Sequence, residues 1–140
     1  MTKDIYISIK SIQSSPDGDL TQKVGPFKGQ YFHKDGFHYC LYEEIMEGVE
    51  HPVKTRIKFS ENLVVLHKSG DVSFDATYEV GKDYISNYNT MFGPITIKTV
   101  TKQISLKDTS SLLTLKLRYD SIMADNYTTD MNMEITIQNA

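Results

Sequence analysis

Apolar and polar residues alternate along nearly the whole chain, and a period of two is the signature of strands with one buried face. Ile5, Ile7 and Ile9 alternate with Tyr6, Ser8 and Lys10, and Thr55, Ile57 and Phe59 alternate with Lys54, Arg56 and Lys58. Further along, Val72, Phe74, Ala76, Tyr78 and Val80 share one phase, as do Leu113, Leu115, Leu117 and Tyr119, and finally Met131, Met133, Ile135 and Ile137. Turn residues punctuate these runs. Ser14 to Asp19 is a turn-rich loop, and Asp35-Gly36 is a two-residue hairpin signal that predicts Phe32 opposite Tyr39 and His33 opposite His38. Glu61-Asn62, Ser69-Gly70-Asp71, Gly81 and Phe92-Gly93-Pro94 end later runs. The stretch Thr21 to His33 carries Gly25, Pro26 and Gly29, so that strand is predicted to be bent, bulged or at an edge. Helix formers gather only between Tyr42 and Glu50, in a stretch that is short and contains Gly48.

Nine or ten such strands joined by short connections predict an all-β fold: a closed antiparallel, mainly up-and-down β-barrel of about 8–10 strands, lipocalin-like in architecture. Closure removes both exposed edges. A two-sheet sandwich would need the longer crossovers of a Greek key, and the sequence offers none.

Composition narrows the picture. One domain spanning residues 1–140 is expected at this length. With 39% hydrophobic and 24% charged residues, neither disorder nor a membrane class is suggested. The net charge of −3, with both signs interspersed, gives no field to hold a phosphate backbone, which argues against nucleic acid as a partner. Cys40 is the only cysteine, so there is no intramolecular disulfide and no Cys-pair zinc or redox motif. No apolar run approaches the ~20 residues of a membrane helix, and the N-terminal residues lack the core of a signal peptide. Together these predict a cytoplasmic protein without membrane partners.

Several motifs carry a family resemblance. They are Tyr39-Cys40-Leu41-Tyr42-Glu43-Glu44, Lys68-Ser69-Gly70-Asp71 before the Phe74 strand, Asn89-Thr90-Met91-Phe92-Gly93-Pro94 followed by Lys98-Thr99, and a closing Met-x-Met-x-Ile-x-Ile strand. In order and spacing the chain resembles the YwiB-like family of small bacterial proteins, a calycin-like barrel family of unknown function. The resemblance implies a lipocalin-like barrel and brings no catalytic or ligand-binding set with it. Met91-Phe92-Gly93 departs from the Pro-Phe-Gly expected there. The Gly-x-Trp signature of secreted lipocalins is absent, since there is no Trp, and Arg118 and Tyr119, as strand neighbours, cannot form an Arg-x-Tyr carboxylate clamp.

Candidate chemistry is sparse. Glu43-Glu44 cannot face each other across a cleft as glycosidase carboxylates do, because strand neighbours point to opposite faces; Glu43 is placed in the phase of Tyr39 and Leu41. His33 and His38 supply two potential metal ligands, too few for a site, with Cys40 about 7 Å further along. No metal or cofactor is expected. Lys98, Lys102, Lys116 and Arg118 are read as a mixed solvated face with Asp130 and Glu134.

More informative is polarity in the inward phase: Asn87 and Asn89 beside Ile85, Thr99, Thr101 and Gln103 beyond Ile97, and Tyr119 and Thr129. Buried polar groups need partners, so these residues either line a pocket or mark a bulge that shifts the phase, since Val100, Ile104 and Leu106 are apolar in the opposite register. The pocket reading predicts a non-enzymatic binding barrel for a small, partly apolar molecule in the barrel mouth. Glu43, Asn87, Asn89, Thr99, Thr101 and Tyr119 would supply its polar contacts. The alternatives are a protein-interaction module or homodimer using the Gly25–Gly29 strand and the aromatics Phe27 and Phe92, and, third, an enzyme using an interior Glu or His.

Overall fold

The structure, a computed structural model, describes residues 1–45, 50–90 and 92–140, the side chains of Thr90 and Asp125 excepted. These residues form ten strands: β1 (Asp4–Ser15), β2 (Gly18–Lys34), β3 (Phe37–Glu44), β4 (Val53–Phe59), β5 (Val64–Ser69), β6 (Ser73–Tyr78), β7 (Asp83–Thr90), β8 (Gly93–Asp108), β9 (Leu112–Ile122) and β10 (Thr128–Asn139). A single 3-10 turn, Ala124–Asn126, joins the last two. Each strand pairs antiparallel with its sequence neighbours, and β1 pairs with β10, so the sheet closes into an up-and-down barrel. The expected architecture is therefore the observed one. Of the Tyr42 to Glu50 helix candidate, Tyr42–Glu44 belongs to β3, and residues 46–49 lie outside the described residues, as does Met91.

The hairpin between β2 and β3 has the predicted register. Phe32 sits opposite Tyr39 and His33 opposite His38, with Asp35 and Gly36 at positive φ. Long strands curve by means of bulges. In β2, Ile7 of β1 faces Phe27 while Ile9 faces Val24, so Gly25 and Pro26 together stand opposite one residue. Gly25 has φ +97°, and a Cβ there would lie 2.6 Å from the Ile7 carbonyl oxygen, so glycine is required.

A second bulge lies in β8, where Thr101 pairs with Tyr119 but Gln103 with Arg118. Lys102 is the inserted residue. Before it, Ile97, Thr99 and Thr101 face inward; after it the phase flips, so that Ile104 and Leu106 point in and Gln103 points out. Of the two readings of this strand, the phase-shifting bulge is the one observed.

The fully buried core gathers where β1, β4, β9 and β10 face one another, with Ile5, Ile7, Ile57, Phe59, Leu113, Leu115 and Ile137 as its largest members. β7 departs from expectation. Tyr84, Ser86 and Tyr88 take the inward phase, opposite Thr99, Ile97 and Ile95, while Ile85 is 72% exposed and Asn87 and Asn89 lie outside. Tyr88 packs on Phe74 with ring centroids 5.0 Å apart, doing the work an aliphatic residue would do elsewhere. Val80, assigned from the alternation to the β6 face, lies past the strand end and is exposed.

A candidate ligand site inside the barrel

β4 sets the geometry of the interior. Lys54, Arg56 and Lys58 prefer solvent, so Val53, Thr55, Ile57 and Phe59 turn inward. Ladder pairing then dictates the neighbours: Tyr42 of β3 and Lys68 of β5 both lie opposite Thr55, and Glu44 lies opposite Val53. Tyr42, Thr55 and Lys68 therefore share one rung of the inner wall.

On that rung Lys68 Nζ lies 2.8 Å from Glu44 Oε1, an ion pair whose side chains keep only 18% and 12% of their exposure. Thr55 Oγ1 donates to the same oxygen at 3.3 Å. Tyr42 is 5% exposed, with its ring stacked on Phe27 at 5.1 Å. Its hydroxyl is buried beside Glu44 and Thr55 yet makes no hydrogen bond of acceptable geometry among the described residues. Burial, and then the Glu44 carboxylate, push this phenol far above its ordinary range, so it keeps its proton. Gly29, opposite Tyr42, is required by close approach: a Cβ there would lie 2.5 Å from the Leu41 carbonyl oxygen and 3.1 Å from Tyr42 Cβ.

These groups border a cavity of about 240 Å³. Ile9, Val24, Ile57, Val64, Leu66, Leu117, Met133 and Ile135 form its apolar wall; Tyr42, Glu44, Lys68 and Tyr78 bring polar atoms to it, and Ser11 and the exposed Gln22 complete it. An ion pair in such a wall is not explained by stability, since paired apolar residues of similar size often serve a fold as well or better. With an unsatisfied phenol beside it, the wall has the make-up of a binding site: mostly apolar, with a few converging polar groups.

The residues singled out from the sequence are distributed differently from expectation. Thr99, Thr101 and Tyr119 are buried and face inward, but none lines the cavity. They form a second polar cluster behind Tyr78, whose ring lies 4.7 Å from that of Tyr119. Burial raises both phenols, and the Thr101 hydroxyl has no hydrogen-bond partner among the described residues. Asn87 and Asn89 are corrected to the outer face, where Asn87 Oδ1 accepts from Thr96 and Asn89 donates to Ser73. Glu43 is likewise corrected: it is exposed and lines an open depression of about 580 Å³ on the outside of β2 to β5, with Lys28, Lys54 and Arg56. That depression is larger than the interior cavity, but its charged side chains Lys28, Glu43, Lys54 and Arg56 stand in solvent.

Glu44 and Lys68, the two interior charges, are the functional candidates that alternation misses. Both faces of β3 are apolar or aromatic, and in β5 Val65 is as apolar as Val64 and Leu66, so neither pattern selects a face. Among the other candidates, the His33 and His38 rings meet edge to face at 4.7 Å, while Tyr31 and His38 are hydrogen-bonded at 2.6 Å. No group of three or more His, Cys, Asp or Glu is placed to hold a metal ion among the described residues. Cys40 is buried, and burial pushes its thiol up to about 12. Phe27, stacked inside on Tyr42, is not available as an outer docking aromatic, whereas Phe92 is 96% exposed. The basic residues of β8 and β9 do form a mixed face: Arg118 pairs with Asp130 at 3.1 Å, Lys102 with Asp120 at 3.0 Å and Lys98 with Asp83 at 3.6 Å.

Ten antiparallel strands in chain order, closed on themselves around a partly hollow interior, define a small up-and-down β-barrel protein. Residues 7–135 match the family described as "Domain of unknown function (DUF1934)", and the chain belongs to that family. It is 30% identical over 132 residues to the uncharacterized beta-barrel protein YwiB of Bacillus subtilis (strain 168), covering 91% of this chain and 89% of that one. The crystal structure of the ywiB protein from Bacillus subtilis superposes with a TM-score of 0.86 at 25% identity, over 99% of this chain and 92% of the other. No described helix is long and apolar enough to cross a membrane.

Proposed function

We propose that this barrel binds a small, partly apolar molecule inside the barrel, with the molecule's polar end against Tyr42, Glu44 and Lys68. One observation carries the reading: a buried phenol without a hydrogen-bond partner among the described residues and a largely buried ion pair both border a cavity whose remaining wall is largely aliphatic. A barrel closed for stability alone has no use for such groups, because each removes polar atoms from water without full return. At about 240 Å³ the space corresponds to roughly eight water-sized volumes, so the ligand is small. The barrel acts as a carrier or sensor of that molecule. The site is read as binding without chemistry.

Native mass spectrometry of freshly purified protein tests this directly. A retained mass, lost in a Leu66→Phe variant that fills the cavity, is the expected result. A protein that carries nothing and whose interior methyl NMR signals do not move with any small amphipathic probe would overturn it.

A further inference from the structure

The polar end of the cavity also bears on the charge of what enters it, a step that rests on the binding reading above. Lys68 Nζ and Glu44 Oε1 are 2.8 Å apart, and Thr55 Oγ1 donates to that same oxygen at 3.3 Å. The ammonium is therefore already neutralised, and the carboxylate oxygen already has two donors. A ligand carboxylate approaching Lys68 meets Glu44 at almost the same distance, and a ligand ammonium approaching Glu44 meets Lys68. The attraction and the repulsion nearly cancel, while the ligand's charge still loses its hydration to an otherwise aliphatic wall formed by residues such as Leu66, Leu117 and Ile135. A neutral polar group pays far less. Among the described residues that border this cavity, the Tyr42 hydroxyl is a buried polar atom without a hydrogen bond of acceptable geometry, protonated and able both to donate and to accept.

We infer that the interior site selects uncharged amphipathic molecules of roughly eight to ten non-hydrogen atoms, bearing a hydroxyl, carbonyl or amide that pairs with the Tyr42 hydroxyl, and rejects anions and cations of the same shape. The Glu44–Lys68 pair acts as a charge filter. A barrel built to hold a fatty-acid-like anion would instead present an unpaired cation.

The test is a titration of the full-length protein with 1-octanol, octanoate and octylammonium at neutral pH, followed by the methyl NMR signals of Leu117 and Ile135. Octanol is expected to bind at least about tenfold more tightly than either ion. Glu44→Gln frees Lys68 and is expected to bring octanoate to or above octanol; Lys68→Met frees Glu44 and is expected to do the same for octylammonium. Tyr42→Phe is expected to weaken octanol binding while leaving the preference for neutral ligands in place. If octanoate or octylammonium binds the wild-type interior as tightly as octanol, the charge filter is wrong although the binding site stands. If none of the three moves the interior signals, the binding reading itself fails.

Discussion

Lys68 and Glu44, 24 residues apart in the chain, form an ion pair on the inner wall of a barrel whose neighbouring interior residues are chiefly aliphatic. Removing one member leaves the other without a counter-charge in a mostly apolar setting. Loss of one partner from a fully buried pair costs about 3–5 kcal/mol, and the residual exposure of this pair reduces that to about 2 kcal/mol. Lys68→Met and Glu44→Leu alone are each expected to lower stability by that amount in urea unfolding. The double variant is expected to be as stable as wild type or more so. A double variant as unstable as the sum of the singles would show that the pair holds the fold together.

Gly29→Ala is expected to destabilise the protein by about 2 kcal/mol, because the new methyl meets the Leu41 carbonyl oxygen at 2.5 Å and Tyr42 Cβ at 3.1 Å. Backbone on one side cannot give way, so the strain passes to Tyr42 and its stack with Phe27. Urea unfolding measures the loss. A shift of the Tyr42 and Phe27 ring signals would accompany it.

The barrel could be foreseen because most strands have one face that water must take. β4 is the clearest case, since Lys54, Arg56 and Lys58 leave no choice about where Thr55, Ile57 and Phe59 go. β10 and β9 follow the same rule. The interior site is less legible because the alternation is lost in the strands that carry it. In β3, Phe37, Tyr39 and Leu41 are as apolar as His38, Cys40 and Tyr42, so burial alone does not choose between Glu43 and Glu44. Hairpin parity does choose: the Asp35-Gly36 turn puts Gly29 opposite Tyr42, and β4 then puts Tyr42 opposite Thr55. In β7 the error runs the other way. Ile85 looks like a core residue, but Tyr84 and Tyr88, with larger apolar bodies and polar tips, take the inner face and leave Asn87 and Asn89 outside.

Cys40 is expected to resist alkylation in the folded protein. Burial pushes its thiol up to about 12, so at pH 8 the group stays protonated, and the sulfur is enclosed. Iodoacetamide at pH 8 is expected to label it at a rate set by unfolding, rising sharply in urea. Labelling of native protein at the rate of a free thiol would contradict the buried, inward placement of β3.

His38 provides a pH dependence of known sign. Burial first, and then the neighbouring His33, lower its pKa below the ordinary 6.5, with Asp108 opposing; Tyr31 is hydrogen-bonded to its ring and Phe59 stacks on it. The unfolded chain therefore binds a proton more readily than the folded one. This contribution is fully present above pH 6.5 and is lost as pH falls through 6.5 toward the lower folded value. Unfolding midpoints are expected to drop between pH 7.5 and 5.5 in the wild type and to drop less in His38→Gln. An equal drop in both would assign the effect to other groups.

The seam between β6 and β7 is thinly paired. Among the described residues their ladder consists of Ser73 with Asn89 and Phe74 with Tyr88, and an isolated bridge joins Glu79 and Lys82 at the far end. Between these points residues 75–78 and 84–87 run side by side without paired residues, held by side chains such as Tyr84, whose hydroxyl donates to Glu79 at 2.8 Å. By contrast β9 and β10 are in unbroken register from Ile122 with Thr128 to Leu112 with Gln138. Amide protection follows the local opening cost, which is low where ladder bonds are few. Alternate amides of residues 75–78 and 84–87, those pointing across the seam, are expected to exchange orders of magnitude faster than amides of Leu115 and Ile135. Tyr84→Phe, which removes the bond to Glu79, is expected to accelerate exchange in the seam and leave β9 and β10 unchanged. Uniform protection around the barrel would mean that the two strands are bridged as tightly as the rest.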